Sequence, residues 1–453
     1  MWTAVVGFLI ALKVYSNKRI IRISTPLLLS LLAQNVLQVI DTAFLGRVGE
    51  VELGASALAG VLYIAIFTLG FGFSMGSQIL IGRRNGEQNY RQIGEIVIQG
   101  IVFLSMLAAV LVPLMSVASR HWFPSLFESK RIAGAVTEYL DWRIFGIFFA
   151  FANAMFRAFF VGIAQTKVLT WNAIVMTLVN IVFDYALIFG NFGMPKMGIG
   201  GAALASVIAE IASMLFFAIY LMKNIDFKKY GFNIIRFRWP VMKRILDISI
   251  FMMIQNVVSI GTWMLFFLFI ENYLGERPLA VANIVRSFYM ILTIPANALS
   301  ATTNTLVSNT IGAGRKDAVL SLVKRICLMS FSIIVVVALC VAIFPQAVIA
   351  IYTNDPSLIG DTVLPLYVLL SALPFYSVGG TLFSAVSGTG NTRTALVFEL
   401  ITMVFYVSYM WFIIVHLRSS VAIAWTTEHL YWIFLLIMSS LYLRSGKWKN
   451  RQI

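Results

Sequence analysis

Charge is what this sequence has least of. Asp, Glu, Lys and Arg make up 12% of its 453 residues, against 60% hydrophobic side chains. That is far too little polar surface to coat a water-soluble globule of this size. Cysteine and histidine are nearly missing as well. The three histidines, His121, His416 and His429, are scattered, so neither a metal-ligand set nor a nucleophile–base constellation can be built, and an enzyme is not expected. The two cysteines, Cys327 and Cys340, read as small buried hydrophobes that say nothing about redox compartment. A nucleotide-cradling G-x-x-x-x-G-K-[ST] loop is absent too, and Gly388-Thr389-Gly390-Asn391 is a helix-end turn with no strand before it, which argues against ATP hydrolysis.

What is present is apolar length. With a mean hydropathy of +0.88, runs of about twenty apolar residues recur, each able to cross a hydrocarbon core of roughly 30 Å as a helix. The pattern predicts an all-α polytopic membrane protein with twelve spans, at 21–46, 53–81, 94–117, 136–161, 168–191, 198–222, 244–271, 279–308, 319–343, 362–387, 394–417 and 421–443. The formal charge of +15 marks topology and not nucleic acid. Basic residues gather before the first span, in the 82–93 and 223–244 loops, in the 309–325 segment and in the tail, and the loops between are poor in them. The positive-inside rule then places both termini and the long loop in the cytoplasm. Residues 1–12, "MWTAVVGFLIAL", are too short to span and lack a basic n-region, so they read as an interfacial or upstream extension and not a signal peptide.

The chain also repeats. Gln34-Asn35-Val36 recurs as Gln255-Asn256-Val257, and Gly86, Gly162 and Thr166 recur as Gly312, Gly388 and Thr392. Six spans per half is an even number, so the halves enter from the same side as parallel repeats. The expected organisation is an N-terminal segment (1–20), an N-lobe (21–222), a cytoplasmic linker (223–243), a C-lobe (244–443) and a cytoplasmic tail (444–453).

Two lobes facing each other make a transporter's architecture. With ATP hydrolysis disfavoured, an ion gradient is the remaining power source, and it needs ionisable groups inside the membrane. Gln34, Gln38 and Asp41 share one face of the first span, and Asn180 and Asp184 share one face of the fifth. Each carboxylate costs roughly 3 kcal/mol at a helix centre. Brought together, the two acids would bind a proton, or with the Asn180 carbonyl a hard cation such as Na⁺; the alternative is that both are wet near the outer surface. Pro26 can kink or hinge the first span, or be an ordinary helix-start proline. Arg143, close to Asp141, and Arg286 need partners at depth, as do Glu210 and Glu399, while Glu428-His429 lies near enough to a helix start to be interfacial.

These features resemble the multidrug and toxic compound extrusion (MATE) family. The resemblance rests on Pro26 and Asp41 in the first of twelve spans, on "FRAFFVGIAQTK" (156–167) with its echo "LFSAVSGTGNTR" (382–393), and on "GIGGAALAS" (198–206) opening the sixth span. It covers nearly the whole chain after about residue 20. The branch similar to the DinF proteins implies an N-lobe coupling site carried onto Asp41, Asn180 and Asp184. That branch also uses a hydroxyl of the sixth span; Ala202 cannot serve, which leaves Ser206. The NorM-like branch implies acids that fall here on Gln255 and near Tyr376, so a cation site in the C-lobe is not expected.

The resulting expectation is a secondary antiporter of the inner membrane, acting as a monomer without cofactor. It would export amphipathic organic cations in exchange for H⁺ or Na⁺, with Gln34, Gln38, Asn153 and Arg286 as candidates for the substrate cavity. The rival reading is a lipid-linked oligosaccharide flippase of the same superfamily; a receptor or membrane enzyme is disfavoured by the duplication and the missing catalytic cluster.

Overall fold

The computed structural model describes residues 15–126, 129–233 and 237–451. The whole N-terminal extension (1–12), Arg236 in the long loop and the last two residues therefore lie outside the described residues. Among the described residues there is helix and no strand. Ten helices are long and apolar enough to span, and two bent pairs bring the number to twelve, the count that hydropathy predicts.

The two bent spans are the fourth and the eighth, which the sequence reads as continuous runs. Lys130–Arg143 and Gly146–Gly162 meet at 53°, and Glu276–Leu292 and Ile294–Gly312 at 47°. In the eighth span Pro295 supplies no backbone donor and crowds the turn before it. Thr293 Oγ1 donates to the Tyr289 carbonyl at 2.7 Å, inserting a side chain into the same turn. In the fourth span Gly146 opens the second piece.

Contacts divide the chain into one unit of Leu29–Met253 and another of Ile254–Ile453 together with the residues up to Leu28. Both cuts fall inside long helices, Asn17–Val48 and Trp239–Leu274, and not at the basic linker.

Inside each unit the same joint recurs. A Cβ on Gly162 would lie 3.2 Å from the Gln78 carbonyl oxygen, and one on Gly388 would lie 2.6 Å from that of Asn304; both pairs are related by the same sequence offset of 226 (388 − 162 and 304 − 78). Glycine thus lets two helix backbones touch at equivalent places in the two halves. The turns beside these joints match as well. Gly314 and Gly390 have φ of 75° and 88°, and their equivalents Gln88 and Ala164 adopt 59° and 56°, so the N-terminal half holds with ordinary L-residues a left-handed conformation that favours glycine.

The basic segments share ends. In the N-terminal unit Arg238 pairs with Glu95 at 3.2 Å and Tyr90 packs on Tyr230, joining the long loop to the start of the third span. In the other unit Arg325 donates to the Tyr15 carbonyl at 2.7 Å. Lys449 pairs there with Asp317 at 2.5 Å and holds that carboxyl below the usual carboxylate range. Large apolar side chains such as Val39, Val110 and Val404 are each 66% exposed, the kind of surface that suits a chain solvated by lipid. Cys340 belongs with them: it is exposed and not a buried hydrophobe, in contrast to Cys327.

Candidate functional site

The first and fifth spans bring their acids together inside the N-terminal unit. Asn180 and Asp184, four residues apart on Lys167–Phe189, are both 0% exposed. Asp41 is half-buried on Asn17–Val48. With its amide nitrogen turned toward them, Asn180 donates to Asp41 Oδ1 at 2.8 Å and to Asp184 Oδ2 at 3.0 Å; this is the orientation that satisfies donors and acceptors together. The two carboxyls also lie within hydrogen-bonding reach of each other.

Beside this cluster stands an ion pair that spacing alone does not reveal. Arg143 Nη2 meets Glu210 Oε1 of the sixth span at 2.7 Å; the Glu210 side chain is buried and that of Arg143 nearly so, at 6% and 12% exposed. The guanidinium lies over the Tyr63 ring, 3.7 Å from its centroid, while the Tyr63 hydroxyl donates to the same glutamate oxygen at 3.0 Å. A Cβ on Gly146 would meet Arg143 Nη1 at 2.5 Å and would also meet Glu210 Oε2, so the bend residue leaves the pair its space. Arg143 is near enough to act electrostatically on Asp41. Asp141, its neighbour in sequence, pairs instead with Arg120 at 3.1 Å. The only hint in the sequence is that Arg143 and Glu210 both need partners at depth.

Several polar atoms here are buried without a hydrogen-bond partner among the described residues: Asp184 Oδ1, Glu210 Oε2, Arg143 Nη1 and Asn153 Oδ1. Carboxylate oxygens with spare lone pairs in a dry interior are the donor set that a proton or a hard cation requires.

The other expected residues are not joined to the cluster. Ser206, one turn before Glu210, is half-buried and makes no hydrogen bond to Asp41, Asn180 or Asp184 among the described residues. Ala202 packs with Leu45, Ile188 and Ile199. Gln34 and Gln38 are exposed. Asn153 serves the scaffold, donating to the Glu210 carbonyl at 2.9 Å. Arg286 belongs to the C-terminal unit, where its guanidinium lies 5.1 Å from the Phe267 ring centroid. Pro26 is buried in an unbroken helix.

The family model described as MatE matches residues 26–186 and 250–412. The chain belongs to the MATE family. Among its relatives, a probable multidrug resistance protein NorM of Thermotoga maritima is 26% identical over 447 residues, covering 96% of this chain and 94% of that protein. The probable multidrug resistance protein YoeA of Bacillus subtilis is 24% identical, covering 73% and 72%. Among solved structures, an outward-facing multidrug resistance MATE transporter of the MOP superfamily aligns at a TM-score of 0.87 with 18% identity, covering 96% of this chain and 97% of that one. A MOP superfamily transporter from Pyrococcus furiosus aligns at 0.86 with 17% identity, covering 96% and 98%. The MATE protein described here is therefore a polytopic membrane transporter, and the relatives it resembles carry the names of multidrug resistance proteins.

Proposed function

We propose that this MATE transporter is a DinF-like secondary antiporter, exporting amphipathic organic cations in exchange for inward H⁺ or Na⁺, with Asp41, Asn180 and Asp184 as the coupling site. The observation that carries this reading is the convergence of two carboxyls on one amide inside an apolar unit, where acids are costly and usually functional. Either ion suits the site: two neighbouring carboxyls can share a proton, and with the Asn180 carbonyl they offer the oxygen ligands that Na⁺ takes. Coupling requires the ion to prefer one orientation of the lobes and the drug the other, and Pro26 is the proposed bending point of the first span. The oligosaccharide flippase is not favoured: the relatives are multidrug resistance proteins.

The test is ethidium transport in everted membrane vesicles, with pH and Na⁺ gradients imposed separately. Transport driven by the pH gradient or by the Na⁺ gradient is expected, and transport driven by neither would refute antiport. Pro26→Ala restores a backbone donor and should reduce transport with expression intact; unchanged transport would demote the hinge.

Orientation in the inner membrane, with both termini inside, is tested at the long loop. Tyr230 is 7% exposed and packs on Tyr90 and Phe159, so a thiol there would be shielded from either side. The exposed Lys228 is the better probe. In a Cys340→Ala background, Lys228→Cys should resist an impermeant maleimide on intact cells and react after permeabilisation. Labelling of intact cells would invert the topology.

A further inference from the structure

The C-terminal unit holds two carboxyl groups that the coupling site does not use. Glu399 on the eleventh span is 0% exposed and Glu428, in the first turn of the twelfth, is 4% exposed, so protein encloses both. Glu428 Oε2 accepts from Trp432 Nε1 at 3.1 Å and Oε1 from the Tyr406 hydroxyl at 3.5 Å, with the Tyr289 hydroxyl also in reach. Glu399 Oε1 accepts from Ser259 Oγ at 2.7 Å and from the Tyr431 hydroxyl at 2.6 Å, while its Oε2 is buried without a partner among the described residues. The Tyr406 and Tyr431 rings pack edge to face, 5.8 Å apart, so two phenols stand between the two acids.

Among the described residues, the titratable groups facing these acids are the phenols: Tyr431 faces Glu399, and Tyr289, Tyr376, Tyr406 and Tyr431 face Glu428. Among the described residues, no Lys, Arg or His forms an ion pair with either acid. His429 bonds Ser371 at 3.0 Å and packs beside Phe375.

A carboxylate with no counter-charge at this depth must be neutralised. A metal ion suits the site poorly, because the Trp432 indole nitrogen has no lone pair to give and the groups around both acids are hydrogen-bond donors. A proton suits it well. On Glu399 it would sit on Oε2, leaving Oε1 to accept both hydroxyls. Serine and tyrosine hydroxyls can also donate to the ionised form, so the network tolerates both states. We propose that Glu399 and Glu428, linked through Tyr431 and Tyr406, form a second exchangeable proton site in the C-terminal unit. Because the groups around Glu399 come from the seventh, eleventh and twelfth spans, loading it acts on the packing of three helices at once.

The experiment is infrared difference spectroscopy of the purified full-length protein across a pH step, reading the C=O stretch of protonated carboxyl groups. It needs no transport, so its outcome is independent of the N-terminal coupling site. Glu399→Gln and Glu428→Gln should each delete one component, both of which persist in Asp41→Asn. Tyr431→Phe, which removes one donor and keeps the ring, should shift the Glu399 component without deleting it, and this arm decides the matter if a glutamine variant fails to insert. An unaltered band pattern in the glutamine variants would overturn the proposal. So would components that do not respond to pH between acid and alkaline limits, since that proton would be fixed.

Discussion

Asp41→Asn should abolish gradient-driven efflux while leaving the protein inserted in the membrane. The substitution keeps the size of the side chain and its capacity to meet Asn180, but removes the negative charge that a coupling ion must neutralise. Losing the ion's preference between two states costs the coupling free energy, typically about 1–3 kcal/mol, or roughly 5- to 150-fold in the affinity difference that drives exchange. Asp184→Asn should behave alike, because Asn180 bridges the two acids at 2.8 and 3.0 Å. Groups this close act as one unit, so the double variant should be hardly worse than either single one. Gln255→Ala, at the repeat-related position of Gln34 in the other unit, should leave coupling intact. The measurement is the pH and Na⁺ dependence of ethidium efflux in these variants. Full coupling in Asp41→Asn, or its loss in Gln255→Ala alone, would move the site out of the N-terminal unit.

Arg143→Gln should be the most destabilising single change in the same unit. It leaves the buried Glu210 carboxylate without the guanidinium that now meets it at 2.7 Å, and it removes the cation stacked on Tyr63. Breaking one side of a buried pair costs about 3–5 kcal/mol, whereas replacing both partners is far milder. The double variant Arg143→Gln, Glu210→Gln should therefore recover much of the loss. Thermal unfolding of the four proteins in detergent completes the cycle. A single variant as stable as the parent would mean that Glu210 finds another partner or carries a proton of its own.

Hydropathy reads the membrane class, and its twelve runs fall on ten long helices and two bent pairs, because a lipid-exposed span must be apolar over its whole length. Two acids in such spans stand out for the same reason, and the spacing of Asn180 and Asp184 places them on one face whatever the helix packs against. The repeat is equally local in origin. Gly162 and Gly388 mark helix ends in the sequence, and each proves to be a point where two backbones touch, at Gln78 and at Asn304.

Partner choice is where spacing fails. Within a membrane a span is apolar on nearly every side, so periodicity does not say which face meets which neighbour. Only the tertiary structure joins Arg143 to Glu210, 67 residues away, and sends Asp141 to Arg120. It bends the fourth and eighth spans, keeps Ser206 out of the acidic cluster, exposes Cys340 and encloses Glu428 among Tyr289, Tyr406 and Trp432. Membrane crossing in two related halves, with acids in the spans, follows from residue type and order alone, since each residue's solvation cost is its own. The tertiary structure decided which charges meet and which carboxyls stand without a cation, since pairing energy belongs to two residues whose distance no local pattern records.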